Sequence, residues 1–361
     1  MISRSLSFRG RLWLAVAMLL PALSAAATEP DYPPVVPGVA IEFPRDAGSH
    51  PEHRIEWWYV TGWLADKRGQ QTGFQVTFFR VRPGLGEDNP SRFAPRQLLF
   101  AHAAVADPTL GRLRHAERSA RAGFDLAYAR RGAMDVRIDD WSLRETGDGR
   151  MHAVVDGADF SLELDLSVRQ APLLQGKAGF SRKGPGALSA SYYYSRPQLA
   201  VAGELSIDGR RSRVTGQAWL DHEWSSQTLD FEASGWDWIG INLDGGGALM
   251  AFRMRDARGG VHWAAATLRS ADGAVRTFAP EDVRWSAVRE WRSPRTGASY
   301  PIAWQISIGD DRYSVEPLID DAELDSRSST GTIYWEGPVQ LRTADGRPAG
   351  RGYLELTGYA K

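Results

Sequence analysis

Cysteine is absent from the 361-residue chain. That excludes disulfides, thiolate metal sites, a cysteine nucleophile and a lipid-modified cysteine behind a leader. Other signals are missing too. There is no Gly-x-Ser-x-Gly elbow, no Gly-x-x-x-x-Gly-Lys loop and no dinucleotide fingerprint after a strand. These absences argue against an α/β-hydrolase serine and against a nucleotide cradle, so no cofactor is expected. The net charge is −1 with no basic run, and nucleic acid is not an expected partner. No long stretch carries helical periodicity.

What is present is aromatic and β-like. Fourteen Trp, thirteen Phe and eleven Tyr are spread along the chain. Such rings suit pleated, half-buried surfaces, and they also suit an apolar cavity. Arg4, Arg9 and Arg11 precede an apolar run from Leu12 to Leu23, followed by Ser24, Ala25, Ala26 and Ala27. This is the three-part layout of a secretory signal peptide over 1–27, too short for a comfortable permanent span. The expectation is a periplasmic or secreted protein with no stable membrane span after cleavage. Residues 28–45 hold five prolines and read as an extended lead-in.

Beyond it, short β-type runs alternate with turn signals. They include Ile55–Leu64, Phe74–Arg82, Leu98–Ala106, Phe124–Ala129 and Phe160–Val168. In the last, Phe160, Leu162, Leu164 and Leu166 fall on one face. Trp58-Tyr59-Val60-Thr61-Gly62 resembles Trp236-Asp237-Trp238-Ile239-Gly240, and Phe79-Arg80-Val81-Arg82 resembles Phe252-Arg253-Met254-Arg255. A weak repeat of this length predicts duplicated all-β domains, 46–228 and 229–361, joined near residues 225–234.

Several segments together resemble the hydroxyneurosporene synthase (carotenoid 1,2-hydratase) and AttH family. They are the stretch from His50 to Gly62, Phe100-Ala101-His102-Ala103, the run from Ser191 to Pro197, and Trp219-Leu220-Asp221-His222-Glu223-Trp224-Ser225. Gly235-Trp236-Asp237-Trp238, Tyr334-Trp335-Glu336-Gly337 and the stretch from Gly352 to Tyr359 complete the set. The resemblance implies two tandem lipocalin-like (calycin) antiparallel barrels and a large apolar substrate held inside or between them. It also implies a part for the His-x-Trp pair, here His222 and Trp224. The carotenoid branch carries a Tyr and an acid on a following strand. Ala248-Leu249-Met250-Ala251-Phe252 has neither, so the chain resembles the AttH side more.

The candidate chemistry starts from Asp221, His222 and Glu223. Three ionisable groups in succession make a poor core strand, because buried ones need partners. Asp221 is the expected proton donor, its pKa raised by an apolar pocket, with His222 and Glu223 beside it. Protonating an alkene leaves a carbocation, which a π face such as Trp224 stabilises. The structural alternative is a polar network closing a seam. Expected ligand-binding residues are His50, Glu56, Trp58, Tyr59, His102, Tyr193, Trp224, Asp237 and Trp238. Glu56 is either a base or ligand anchor, or the partner of an arginine such as Arg80. His50, His53, Glu56, His102 and His222 are conceivable metal ligands, but their spacing fits no strand face or zinc helix motif, and no metal is expected.

Two functions follow. One is an enzyme performing cofactor-free hydration, isomerisation or cyclisation on a lipid, terpenoid or polyketide-like molecule. The other is a non-catalytic carrier or envelope assembly protein. A metal-dependent hydrolase is a weaker third.

Overall fold

The computed structural model describes residues 31–227 and 232–360. The expected signal segment and residues 228–231 of the expected junction lie outside the described residues. From Tyr32 onward the chain forms one compact unit.

The fold is all-β. Two large antiparallel sheets form, apart from two three-residue 3-10 turns. The first holds β1 (Ile55–Asp66), β2 (Gln71–Val81), β3 (Leu98–Asp107), β4 (Arg112–Arg121), β5 (Ala127–Ala129), β6 (Asp135–Ile138) and β7 (Trp141–Glu145). It continues with β8 (Arg150–Asp156), β9 (Phe160–Ser167), β10 (Leu173–Leu174), β11 (Phe180–Arg182), β12 (Ala190–Ile207) and β13 (Arg210–Ser225). The second holds β14 (Ala233–Leu243), β15 (Ala248–Asp256), β16 (Val261–Arg269), β17 (Val275–Phe278) and β18 (Val283–Arg292). Then come β19 (Ser299–Ile308), β20 (Asp311–Pro317), β21 (Glu323–Ser326), β22 (Thr332–Thr343) and β23 (Pro348–Leu356).

In both sheets the first strand pairs with the second and with the last: β1 with β2 and β13, and β14 with β15 and β23. Each sheet curls until distant strands touch, β4 against β6 and β16 against β18. These are lipocalin-like barrels. Alternation decides what fills them. Phe160, Leu162, Leu164 and Leu166 all point into the first barrel and are buried, while Glu163 and Asp165 face water. Trp58, Phe74, Phe78 and Trp141 complete that interior. Ile239, Ala251, Ile302, Trp304 and Trp335 fill the second. At about 1.5–3 kcal/mol per large apolar side chain, these two interiors supply the main stabilisation of a chain that has no disulfides.

A third apolar cluster joins the barrels. Tyr59, Tyr193, Trp219, Trp238, Phe252 and Tyr353 pack together from both sheets. The approach is close at Gly73, where a Cβ would stand 2.5 Å from the Pro338 ring and 2.9 Å from the Tyr353 hydroxyl.

One local expectation changes, and one strand was not expected. The run Phe124–Ala129 is a strand only from Ala127, because Phe124 and Asp125 adopt positive φ (59° and 58°) in a turn. The strand β4, Arg-Leu-Arg-His-Ala-Glu-Arg-Ser-Ala-Arg, carries too many charges to read as β from pattern alone. Its partner β3 imposes the pairing.

Candidate active site

The period of two in β1 and β13 sends neighbouring residues to opposite environments. Even-numbered Glu56, Trp58, His222 and Trp224 point into the first barrel. Odd-numbered Trp57, Tyr59, Asp221 and Glu223 point toward the second.

Inside, Glu56 stands opposite Arg80 in the β1–β2 register and is wholly buried. Its Oε2 accepts from Arg80 Nε at 2.8 Å and from the His50 backbone N–H at 2.9 Å. Its Oε1 accepts from His222 Nε2 at 2.9 Å and His50 Nδ1 at 2.7 Å. Burial alone would discharge this carboxyl, but the hydrogen bonds from His222 and His50 and the Arg80 charge hold it well below the usual range. Burial also opposes protonation of His50, yet Asp46 and Glu56 outweigh it and raise its pKa. His222 goes the other way, lowered mainly by burial. The network therefore favours ionised Glu56 against the Arg80 guanidinium, favours protonation of His50 and disfavours that of His222, whose single proton then lies on Nε2 toward Glu56. His222 Nδ1 accepts from the Tyr194 hydroxyl at 3.2 Å. His50 lies flat on Trp224 at 3.8 Å, and His222 stacks on Trp58 at 4.7 Å.

Donor atoms of His50, Glu56 and His222 lie within 4.8 Å of one another, close enough to surround a cation. The chemistry of the set opposes one. The buried Arg80 guanidinium already neutralises Glu56, so a divalent ion would have to displace it.

Outside, a cavity of about 180 Å³ opens between the barrels. Trp57, Tyr59, Phe79, Tyr193, Trp236, Trp238 and Phe252 wall it. Four carboxyls, Asp221, Glu223, Glu336 and Glu355, line it with one cation, Lys183. Lys183 Nζ lies 2.9 Å from Glu223 Oε1 and over the Phe252 and Tyr193 rings at 4.3 and 4.6 Å. The Ser191 hydroxyl also donates to Glu223.

The other three acids differ. Asp221 is saturated: Oδ1 accepts from the Ser195 hydroxyl at 2.5 Å and Trp219 Nε1 at 2.6 Å, and Oδ2 accepts from the Tyr193 hydroxyl at 2.5 Å. Tyr193 in turn accepts from Trp238 Nε1 at 3.1 Å, which tethers the two barrels. Burial nonetheless pushes Asp221 up to about 7, against those three hydrogen bonds and aided by Glu223. Glu336 and Glu355 sit directly across the β22–β23 pair. Like charges so placed repel, and little solvent is there to screen them. Burial first, then the Glu355 charge, raise Glu336 well above its ordinary value. Burial with the Asp221 and Glu223 charges pushes Glu355 up to about 7. The Tyr59 hydroxyl is the polar group beside buried Glu336; Glu336 raises the proton affinity of Tyr59, and Tyr59 lowers that of Glu336. Burial and the facing Glu355 charge thus favour the protonated form of Glu336, which faces an aromatic chamber beside the Tyr59 hydroxyl.

A family model described as AttH-like matches residues 34–359. The chain belongs to the AttH-like family. The crystal structure of an AttH from Nitrosomonas europaea is 53% identical with a TM-score of 0.86, covering 91% of this chain and 100% of that one. A kievitone hydratase from Nectria haematococca shares the fold at 13% identity and TM-score 0.68, covering 91% of this chain and 96% of that one. So does CghA, crystallised with Sch210972, at 15% and 0.54, covering 85% of this chain and 88% of that one. No curated protein matched the sequence. Among the described residues no helix is long and apolar enough to cross a membrane.

The AttH-like fold divides the residues expected from sequence. Asp221, Glu223, Tyr59, Tyr193 and Trp238 meet at the cavity. His222, Trp224, His50, Glu56 and Trp58 lie behind the β1–β13 wall, inside the first barrel. His222 is therefore not in one cluster with Asp221 and Glu223, because the pleat puts it on the opposite face. Asp237 is buried in the second barrel, bound to Arg253 Nε at 2.6 Å and the Tyr359 hydroxyl at 2.9 Å. His102 sits behind the cavity wall, edge-on to Phe79, taking its proton bond from the Tyr334 hydroxyl at 2.8 Å. Burial lowers its pKa to about 3, so it stays neutral.

Sequence reasoning missed Glu336, Glu355 and Lys183 as site residues. The signal for Glu336 was present: an acid flanked by buried Trp335 and Gly337 on a strand buried through its centre.

Proposed function

We propose that this AttH-like protein is a cofactor-free acid catalyst acting on an apolar, unsaturated ligand held in the seam between its barrels. The observation that carries the reading is the facing Glu336–Glu355 pair in an aromatic chamber. Burial and mutual repulsion favour one proton held between the two, so that one member can give it while the other receives one.

A hydration would run as follows. Glu336 gives its proton to one carbon of a C=C bond, whose π electrons form the new C–H bond. The adjacent carbon becomes cationic and faces the π surfaces of the chamber. A water oxygen adds to it, and the proton that water loses passes to ionised Glu355. Without water in the chamber, an internal nucleophile or proton loss would give cyclisation or isomerisation instead. Asp221 is anchored by three donors and serves to fix Tyr193 and the wall. Two fold neighbours support a small-molecule substrate, one being a kievitone hydratase and the other a structure holding Sch210972. Carotenoid hydration is not the reaction proposed, since Ala248–Phe252 lacks the Tyr and acid of that branch. The site of action proposed is the periplasm or exterior, supported by the pattern of residues 1–27.

The test is mass spectrometry of ligand extracted from the protein isolated from its host, then incubation of that ligand with protein in deuterated, ¹⁸O-labelled water. Deuterium at carbon, with or without labelled oxygen, is expected with the parent and absent with Glu336→Gln. A ligand returned unchanged by a protein that binds it tightly would leave only the carrier reading.

A further inference from the structure

A second feature lies apart from the cavity, at the tips of two loops of the first barrel. Leu85 (62% exposed) and Phe93 (64%) project from the β2–β3 loop. Phe124 (42%) and Leu126 (59%) project from the β4–β5 turn. Isolated exposed apolar residues are ordinary, but these are grouped: the Phe93 and Phe124 rings lie 4.9 Å apart. Phe124 and its neighbour Asp125 are non-glycine residues at positive φ, a conformation that costs energy and here holds the ring outward.

Three arginines surround the rings at this tip, while exposed Asp139 and Asp140 stand on the neighbouring β6–β7 turn, whose Asp139 N–H bonds the Leu126 carbonyl. The Arg121 guanidinium lies over Phe93 at 5.1 Å and Phe124 at 5.6 Å, and that of Arg92 over Phe124 at 5.4 Å. Arg96 belongs to the same loop and bonds the Asn89 carbonyl. Among the described residues none of these three forms an ion pair. Glu87 is already paired with Arg82 at 2.9 Å, which leaves Asp88 and Asp125 as the acids of the two loops. Rings flanked by unpaired guanidiniums match the boundary of an anionic bilayer, where apolar groups enter and cations meet phosphate.

The patch also shares an end of the barrel with the cavity. Residues paired across the sheet run Ser225–Ile55–Val81–Leu98–Arg121, from the cavity lining to the patch. Four strand spacings make that about 20 Å. Leu188, exposed in the loop next to the cavity-lining Ser189, stands at this end too.

We infer that this end of the first barrel docks on an anionic lipid surface through Phe93, Phe124 and their arginines. Docking would bring the seam cavity beside the bilayer that dissolves an apolar ligand. This inference is independent of whether Glu336 performs chemistry.

The test is co-sedimentation with vesicles of phosphatidylcholine alone and of phosphatidylcholine mixed with phosphatidylglycerol. Parent, Phe93→Ser/Phe124→Ser and Arg92→Gln/Arg121→Gln proteins are compared, all carrying the same N-terminal segment. Expected are preferential binding to the anionic vesicles, weakening with salt, and a loss of about tenfold or more in either double variant. Phe93, Phe124 and Arg92 are exposed, whereas Arg121 is half-buried and donates to the Phe93 carbonyl. Thermal unfolding is therefore measured for each variant, and a binding loss with unchanged unfolding in the Phe93→Ser/Phe124→Ser protein separates lost docking from lost folding. Equal binding by parent and variants would overturn the inference. So would a parent that sediments in velocity runs as a dimer dissolved by Phe93→Ser/Phe124→Ser, since the patch would then be covered by a second copy.

Discussion

Asp221→Asn should remove a defined part of the pH dependence of folding. A carboxyl whose folded pKa is raised binds its proton more tightly when folded. Its stabilising contribution is complete below the unfolded value and is lost as pH rises through the folded one. For Asp221 the two values are 3.8 and about 7. At about 1.4 kcal/mol per unit, the full loss is about 4 kcal/mol, of which about 2.5 kcal/mol falls between pH 5 and pH 8. Urea unfolding followed by tryptophan fluorescence at those two pH values measures it directly. The parent should lose stability across the interval, and the Asn variant should lose about 2.5 kcal/mol less. Comparing slopes rather than absolute stabilities matters. Asn also disturbs the bonds from Ser195, Trp219 and Tyr193, but at both pH values alike. Glu336 remains in the variant and keeps its share of the slope, while Glu355 loses the Asp221 charge that helps raise it, so its smaller shift adds to the difference in the same direction. Parallel slopes in parent and variant would refute the argument that burial dominates the three hydrogen bonds.

Arg80→Met should cost about 3–5 kcal/mol in urea unfolding, because it strands the buried Glu56 charge, whereas Arg80→Met/Glu56→Leu should recover much of that loss. Added Zn²⁺ should leave the melting temperature unchanged, since the buried Arg80 guanidinium already neutralises Glu56; a dose-dependent rise lost in His222→Gln would reverse that reading. Gly73→Ala should destabilise by about 1–3 kcal/mol in the same assay, the new methyl meeting Pro338 across the seam. Protein recovered from the periplasm or medium should begin after Ala26 or Ala27 by intact-mass measurement, and a retained leader would contradict export with cleavage.

The barrels were legible because strand alternation is a local property: Phe160 to Leu166 declares its buried face within seven residues. The Glu56–Arg80 pair was legible for a related reason, since an acid among buried aromatics demands a cation and Arg80 ends the next strand. The repeat was legible only as a fact. Matching Trp58 to Trp236 puts them on the same parity, yet Trp58 fills the first barrel and Trp236 faces the seam. The equivalent of Glu56–Arg80 is Asp237–Arg253, again directly opposed on the first two strands of a sheet. Asp221 and Glu223 were found because they share a strand with apolar neighbours. Glu336 and Glu355 were not, because their meaning depends on two facts no local pattern holds. β22 and β23 pair in register, and their outer face is turned toward β1 and β13, more than a hundred residues earlier.

Because side chains fill both barrel interiors, the seam cavity is made from the outsides of the two halves. Neither half alone would contain that cavity, so separating them should abolish the proposed binding even where each still folds. The size and lining of the chamber can also change by substitutions on outward positions, without repacking either interior. A lineage built this way could exchange one ligand for another at little cost to folding, with its scaffold and its selectivity written on opposite faces of the same strands.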